Sequence, residues 1–261
     1  MINIDSLPEQ KITRDGIDIA YWVVGEGTPI LLITGLGTPA ASWYVLPSLL
    51  AEQGYKVIVV DNRDCGKSSP CEGVDYGIAD MAEDAVAVLD EVGIDQTYLF
   101  GISMGGMIAQ ELALNHPERV KKLILVATSP GRPASIPPDA SVLSEMFTPV
   151  PSESVEEGLA RFLGKLMGPG FAEQNWDLLL RTARARVRHG SNSESFSRQW
   201  QAILGFSAWD RLPKLDVPTL IMHGRADPLV PFGNGELLAS RIAGAELVAL
   251  EGVGHFVPLE A

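Results

Sequence analysis

Short apolar segments alternate with helical patterns along most of this chain, and this alternation constrains the fold more than any other feature. The segments are rich in β-branched or aromatic residues and occur at 17–24, 29–34, 56–61, 97–103, 121–128, 218–224 and 245–252. Most are apolar throughout, as central parallel strands are, and Arg-Asp-Gly at 14–16 predicts a hairpin that leads into the sheet. The clearest helical pattern repeats at three- and four-residue steps through Ile78, Met81, Ala82, Ala85, Leu89 and Val92. The alternation predicts an α/β fold, with a mostly parallel central sheet flanked by helices.

One region breaks the alternation. Residues 131–211 begin with a proline-rich stretch and then show helical patterns but no convincing strand. We interpret them as a helical cap inserted into a core domain made of 1–130 and 212–261. The cap is rich in aromatic residues and methionine. We expect most of these side chains to form its own core and a minority, with Phe147 and Trp176 as candidates, to contact a substrate.

A serine stands between two glycines directly after one of the predicted strands. The segment 101–105 reads Gly-Ile-Ser-Met-Gly, and its small outer residues permit a tight strand-to-helix turn that exposes the Ser103 hydroxyl. The turn also brings the amide of Met104 close to the place where negative charge develops on an attacked carbonyl. Such a pattern can also simply start a helix. The strand before it and the amphipathic helix after it favour a catalytic serine.

A catalytic serine needs a base, because its hydroxyl is a poor nucleophile at its own pKa. The chain has four histidines. His116 lies at a predicted helix end, where a cation interacts favourably with the helix dipole, so it needs no catalytic role. His189 lies in an Arg-rich helical stretch. His223 ends a strand and is a possible neighbour of the site. His255 lies in a Gly-flanked loop just after the last strand, and this position suits a base that reaches over the sheet edge.

The histidine needs an acid that holds its tautomer. Asp227 follows the strand at 218–224, at the carboxyl end of the sheet where such folds place their sites, whereas Asp210 and Asp216 do not follow a strand. The order along the chain is then serine, aspartate, histidine, as in a known hydrolase arrangement. We therefore predict that Asp227 is the acid.

A second oxyanion donor is expected in the loop after the strand at 29–34. This loop reads Gly35-Leu36-Gly37, and its glycines let the backbone approach a ligand closely. We predict that the Leu36 amide is the donor and that Gly35 contacts the substrate. A purely structural role for the glycines, turning the chain toward the next helix, is compatible with this prediction.

Charge and hydropathy exclude several classes of partner. The formal net charge of -13 repels nucleic acid and anionic lipid, so we expect a small neutral substrate, no nucleic acid and no membrane partner. Residues 1–20 lack the basic start and apolar core of a signal peptide, and no stretch reaches the roughly 18 apolar residues of a membrane span. These features predict a cytoplasmic protein.

No cofactor or metal is expected. The chain contains no HExxH sequence, no phosphate-binding loop and no GxGxxG sequence after a strand. Its two cysteines, Cys65 and Cys71, are too few for a cysteine-based zinc site. We interpret them as ordinary thiols, with a local disulfide left open.

The chain resembles the α/β-hydrolase superfamily over residues 17–130 and 212–258. The resemblance is carried by LLITGLGTPAASW, VIVVDNRDCGKSS, LFGISMGGMIAQELALNHPERVKKLILV, PTLIMHGRADPLVP and LEGVGHF. The branch it resembles includes small carboxylesterases, enol-lactonases, cofactor-free perhydrolases, meta-cleavage carbon–carbon hydrolases and methylesterases. The resemblance implies a catalytic triad and an oxyanion hole, carried here by Ser103, Asp227 and His255 and by the amides of Leu36 and Met104.

Three positions depart from the family pattern. Thr34 stands where many relatives have histidine, which leaves the amide donor in place but alters the hydrogen bonds of the loop. Asp64 replaces a frequent glycine, a form similar to that of the methylesterases. The chain ends at Ala261, soon after His255, where relatives usually carry a further helix, and we expect the triad to be complete without it.

The sequence thus predicts a serine hydrolase that cleaves a small, mostly apolar carboxylic ester or lactone through an acyl-serine intermediate. A substrate carboxylate would need cations, and the candidates are Arg181, Arg184 and Arg188. They lie beside a predicted apolar stripe and are expected to meet solvent, which favours an uncharged substrate. The stripe consists of Trp176, Leu180, Ala183 and Val187.

Other functions stay open from the sequence. Among enzymes they are a carbon–carbon hydrolase of meta-cleavage products and a cofactor-free perhydrolase. A ligand receptor with slow turnover and a purely structural protein are also compatible with the fold.

Overall fold

The computed structural model describes residues 7–147 and 154–261. The strands of one sheet are β1 Gln10–Arg14, β2 Ile17–Val24, β3 Thr28–Ile33, β4 Tyr55–Val60, β5 Thr97–Ile102, β6 Val120–Val126, β7 Thr219–Gly224 and β8 Glu246–Leu250. The α-helices of the described residues are α1 Leu46–Glu52, α2 Ile78–Glu91, α3 Met104–Asn115, α4 Ala140–Phe147, α5 Val155–Lys165, α6 Phe171–Gln174, α7 Trp176–His189, α8 Ser193–Gly205, α9 Gly233–Arg241 and α10 Val257–Glu260.

The sheet is mostly parallel, as the sequence predicts. Its strand order is β1-β2-β4-β3-β5-β6-β7-β8. The first two pairings, β1 with β2 and β2 with β4, are antiparallel, and the remaining pairings are parallel. The predicted hairpin joins β1 to β2 through Asp15 and Gly16, which both have positive φ angles, of 54° and 80°. Such a pair of residues gives a turn whose twist matches that of the flanking strands.

Central strands bury both of their faces. Along β3, Leu31 and Ile33 point into one apolar cluster, while Ile30 and Leu32 point into the cluster on the opposite face. This alternation follows from the two-residue period of a strand. It explains why these segments are apolar throughout rather than half polar.

Helices cover the two faces of the sheet. Helix α2, at the predicted position, and helix α3 pack on one face through residues such as Met81, Leu89 and Ile108. Helix α10 packs on the other face, where Val257 is buried. Because the parallel strands run in the same direction, their carboxyl ends lie at the same edge of the sheet, with helices on either side.

Helices α4 to α8 lie between β6 and β7, in the segment 131–211 that was predicted to be helical. Within the described part of this segment, the extended pairing is limited to an isolated bridge between Gly131 and Ser207. The segment has a small apolar cluster of its own, made of Ala160, Leu163, Met167, Leu179 and Ala183. None of the helices in the described ranges is long and apolar enough to cross a membrane.

Asp64 fastens the inserted segment to the sheet. Its φ angle is +66°, a conformation that favours glycine but that aspartate tolerates. Its fully buried carboxylate accepts two hydrogen bonds from Arg198 on α8, at 2.6 and 2.8 Å, and one from Ser195, at 2.9 Å. This contact gives a physical reason for aspartate at a position where glycine is frequent in the family that the sequence resembles.

Candidate active site

Ser103 occupies a tight turn between β5 and α3. Its φ and ψ angles are 57° and -121°, a conformation that non-glycine residues rarely adopt. A Cβ atom on Gly105 would lie 2.2 Å from the carbonyl oxygen of Ile33, and one on Gly101 would lie 2.2 Å from that of Gly105. Because these contacts are with backbone, only glycine fits at the positions two residues before and two residues after the serine. The turn has the form that the pattern Gly-x-Ser-x-Gly predicts.

Asp227 and His255 form a buried hydrogen-bonded pair. The Nδ1 atom of His255 lies 2.8 Å from Oδ2 of Asp227. The other carboxylate oxygen accepts hydrogen bonds from the amides of Leu229 and Val230, each at 2.9 Å. This arrangement fixes the carboxylate in its loop after β7 and holds the imidazole by one nitrogen.

The surroundings of Asp227 keep it ionised. Burial alone would raise the pKa of Asp227, but its interactions with His255, with the nearby His223 and with the Val230 amide lower it to about 2. His223 is fully buried, and its Nε2 atom lies 2.7 Å from the carbonyl oxygen of Val230 and 3.5 Å from Oδ2 of Asp227. The sequence suggested His223 as a possible neighbour of the site, and the structure puts it beside Asp227.

Ser103 and His255 line the same cavity, which holds about 160 Å³. Gly35 and Leu36 line it as well, so the structure brings four of the predicted site residues to one place. Met104, a fifth, follows Ser103 directly as the first residue of α3, which places its amide at the helix start. Most of the remaining lining is apolar and includes Trp43, Ile102, Leu159, Phe162, Leu166, Phe196, Leu229, Phe256 and Leu259.

The loop after β3 is held close to the serine. A Cβ atom on Gly35 would lie 3.1 Å from Cβ of Ser103, so the loop backbone almost touches the serine. The amide of Gly37 donates to Oε1 of Gln199 on α8, at 2.8 Å. Thr34, at the position where many relatives have histidine, donates its hydroxyl proton to the carbonyl oxygen of Thr38, at 2.7 Å. The hydroxyl thus closes the loop on itself.

The structure corrects the predicted face of α7. Its buried residues are Leu179, Thr182 and Ala183, whereas Val187 is exposed. Trp176, predicted to bind substrate, is 41% exposed and is not among the residues that line this cavity. The buried face follows the helical spacing i, i+3, i+4 from residue 179, but the predicted stripe started from the aromatic residue at 176.

Two other predictions concern the arginines of α7 and Phe147 at the end of α4. Arg181, Arg184 and Arg188 are exposed, as predicted. The side chain of Phe147, the other predicted substrate contact, lies outside the described part of the structure.

Sequence reasoning missed Arg186. This residue continues the buried face of α7, seven residues after Leu179, and it lines the cavity. Counting i, i+3, i+4 and i+7 from Leu179 would have found it. The arginines that the sequence did single out all lie on other sides of the helix.

The two cysteines are both buried and free. Burial raises the pKa of Cys65 to about 12, so this thiol stays protonated at neutral pH. Among the residues that the structure describes, no group of three or more His, Cys, Asp or Glu side chains is placed to hold a metal ion.

The chain is similar to a protein family, to characterised proteins and to solved structures. The model of the alpha/beta hydrolase fold family matches residues 28–261. Rhodomycin D methylesterase of Streptomyces peucetius is 31% identical, over 97% of this chain and 94% of that protein. Pimeloyl-[acyl-carrier protein] methyl ester esterase of Aeromonas hydrophila subsp. hydrophila is 33% identical, over 88% of this chain and 89% of that protein.

A solved structure described as an N-acyl homoserine lactone degrading enzyme is also similar. It has a TM-score of 0.79 and 28% sequence identity, and it covers 96% of this chain and 95% of its own. The family match spans most of the chain, and the sheet topology agrees with it. This protein is therefore an enzyme of the α/β-hydrolase family.

Proposed function

We propose that the protein is a serine hydrolase that cleaves a small carboxylic ester or lactone through an acyl-serine intermediate. The observation that carries this proposal is that Ser103 and His255 line the same cavity. The Nδ1 atom of His255 lies 2.8 Å from Oδ2 of Asp227. A serine on an exposed turn, a base and an acid that orients the base are the parts that acyl transfer needs.

The proposed reaction begins when Oγ of Ser103 attacks the substrate carbonyl and its proton passes to Nε2 of His255. The amides of Leu36 and Met104 hold the negative oxygen of the tetrahedral intermediate. The intermediate collapses, the carbon–oxygen bond to the alcohol breaks, and His255 gives its proton to the leaving oxygen. Water then attacks the acyl-serine with His255 as base, and the acid product leaves. Asp227 stays ionised throughout and stabilises the imidazolium.

The size and lining of the cavity support a small substrate. A volume of about 160 Å³ is close to that of an engineered cavity, of about 150 Å³, that holds one benzene molecule. Phe162, Leu166 and Phe196 of the inserted segment contribute to the apolar lining. We propose that residues 131–211 act as a cap over Ser103. The names of the two methyl esterases and of the lactone-degrading enzyme support carboxylic esters and lactones as the substrate class.

Hydrolysis of p-nitrophenyl esters of increasing acyl length tests the proposal. Wild-type enzyme should prefer short chains, because the cavity is small. Ser103→Ala should remove nearly all turnover and leave at most roughly a thousandfold acceleration over water. Ser240→Ala, at an exposed serine, is the control and should keep wild-type rates. Undiminished turnover in Ser103→Ala would show that another residue is the nucleophile.

A further inference from the structure

Arg186 places a guanidinium in the cavity without a protein anion beside it. The residue as a whole is half-buried, but its Nε atom is buried and has no hydrogen-bond partner within residues 7–147 and 154–261. The ionisable side chains that line the cavity are Arg186 and His255, and no described carboxylate forms an ion pair with Arg186. The cavity therefore has a positive group on the wall that α7 contributes.

Burial of this guanidinium is costly. Burial lowers the pKa of Arg186 to about 10. A pKa of about 10 still leaves the side chain protonated at neutral pH. Its carbon Cζ lies 5.0 Å from the centre of the Phe256 ring, and such a cation–π contact offsets only part of the penalty for an unpaired buried charge. Stacking satisfies the face of the guanidinium but not the N–H donors at its edge.

Two more donors at the cavity wall lack partners. Ser42 and Trp43 lie in the short helical turn 40–43, which follows the Gly35-Leu36-Gly37 loop after β3, and both line the cavity. Oγ of Ser42 and Nε1 of Trp43 are buried without hydrogen-bond partners among the described residues. Buried polar groups in proteins are nearly always paired, so three unpaired donors around one cavity indicate a ligand rich in acceptors.

We propose that Arg186, together with Ser42 and Trp43, binds a free carboxylate of the substrate. The inference rests on the proposed serine hydrolase function and narrows it. The preferred substrate is an ester or lactone that carries a second, ionised carboxyl group, separated from the reacting carbonyl by a short apolar chain. Hydrolysis of such an ester releases the alcohol and a dicarboxylate.

A carboxylate fits this site better than a phosphate does. One guanidinium neutralises one negative charge, and its planar fork matches the two oxygens of a carboxylate. A phosphate monoester carries up to two charges at neutral pH, and the second would stay unpaired in a mostly apolar cavity. This assignment replaces the uncharged substrate that the exposed arginines of α7 had suggested.

Matched esters test the assignment. Monomethyl glutarate carries the carboxylate, and methyl 5-oxohexanoate replaces it with an uncharged methyl ketone of the same shape. Wild-type enzyme should show the higher kcat/KM with monomethyl glutarate. Arg186→Met should lower the ratio of the two kcat/KM values roughly 10- to 150-fold, the effect of one lost hydrogen bond to a charged group. Arg186→Lys, which keeps the charge, should retain part of the preference. Arg184→Met, at an exposed arginine of the same helix, should leave the ratio unchanged.

Binding of glutarate, measured by calorimetry on the wild type and on Arg186→Met, separates the two proposals. If the wild type hydrolyses neither these esters nor p-nitrophenyl esters but binds glutarate, and Arg186→Met does not bind it, the carboxylate site stands and the hydrolase proposal fails. If esters are hydrolysed while the wild type shows no preference for monomethyl glutarate, the carboxylate site is overturned. An equal loss of both activities in Arg186→Met, with glutarate binding unchanged, would overturn it as well.

Discussion

Asp227 uses its two carboxylate oxygens for different purposes. One oxygen lies 2.8 Å from Nδ1 of His255, and the other accepts the amides of Leu229 and Val230. The loop amides fix the carboxylate, and the fixed carboxylate selects the tautomer in which Nε2 of His255 is free to accept a proton. Both side chains are buried, so water competes little for these hydrogen bonds.

Replacing Asp227 with Asn should slow catalysis while a side chain of the same size and shape stays beside His255. The amide cannot stabilise the imidazolium and favours the wrong tautomer of His255, so kcat should fall by about 10⁴, as in serine proteases. Steady-state kinetics with a p-nitrophenyl ester measures the effect. Asp216→Asn, at an exposed aspartate that the sequence also considered, should change kcat by less than twofold. A similar loss in both variants would remove Asp227 from the triad.

Asp227 should also link stability to pH. Its pKa in the folded protein is about 2, below the ordinary 3.8, so the ionised form favours folding. This contribution is complete above pH 5 and is lost as the pH falls through 3.8 toward 2, with a size of roughly 2 kcal/mol. Urea unfolding of the wild type and of Asp227→Asn between pH 5 and pH 3 measures it. The stability difference should shrink as the pH falls, and a constant difference would contradict the account.

The candidate triad residues could be chosen from the sequence for a physical reason. The carboxyl ends of parallel strands meet at one edge, so residues that directly follow strands are neighbours in space. Ser103, Asp227 and His255 all follow strands, and this could be read from the chain. Arg186 does not follow a strand, and finding it requires knowing that the buried face of α7 begins at Leu179.

At the scale of elements, α8 holds the loop that carries the candidate oxyanion amide. Gln199 of α8 is fully buried. Its Oε1 atom accepts the Gly37 amide at 2.8 Å, and its Nε2 atom donates to the carbonyl oxygen of Arg63 at 2.7 Å. One amide side chain thus joins the inserted segment to the loops after β3 and β4.

Gln199→Leu should loosen that loop. Leucine fills the space but leaves the Gly37 amide and the Arg63 carbonyl without partners. We expect kcat to fall about tenfold, less than the 10²–10³ that follows removal of an oxyanion donor itself, while KM changes less than threefold. Gln201→Leu, at an exposed glutamine of the same helix, is the control. A rise in KM with unchanged kcat would assign Gln199 to substrate binding instead of positioning.

Asp64→Asn should weaken the attachment of α8 to the sheet. Asparagine tolerates the positive φ angle, so the substitution removes the charge and one acceptor oxygen without straining the backbone. The Asp64 side chain is 0% exposed and that of Arg198 is 24% exposed, so we expect a loss of about 2 kcal/mol, below the 3–5 kcal/mol of a fully buried pair. Urea unfolding measures it, with Glu251→Gln in the exposed pair with Arg225 as a control that changes little. Equal effects would show that the Asp64 pair adds nothing.

The partner of Asp64 could not be predicted from sequence. The departure from glycine is visible in the family pattern, but Arg198 lies 134 residues further along the chain. No local period connects the two positions. The helices of the inserted segment could be predicted from their own spacing, whereas their packing on the sheet depends on such long-range contacts.

At the scale of the whole molecule, the sheet is the most predictable part. Its strands are continuous apolar runs, a signal that depends only on burial of both faces. The candidate site residues lie at one edge of the sheet, directly after β3, β5, β7 and β8. Residues of the inserted segment, among them Arg186, line the cavity, and the proposed carboxylate site depends on them.

The central claim is that Ser103 is the nucleophile of this site, and covalent labelling tests it most directly. Enzyme treated with a p-nitrophenyl alkylphosphonate should gain the mass of one phosphonyl group, and peptide mapping should place it on Ser103. Asp227→Asn should be labelled much more slowly, because the base is poorly oriented. A phosphonyl group on another residue, or labelling of Ser103→Ala at the wild-type rate, would contradict the account.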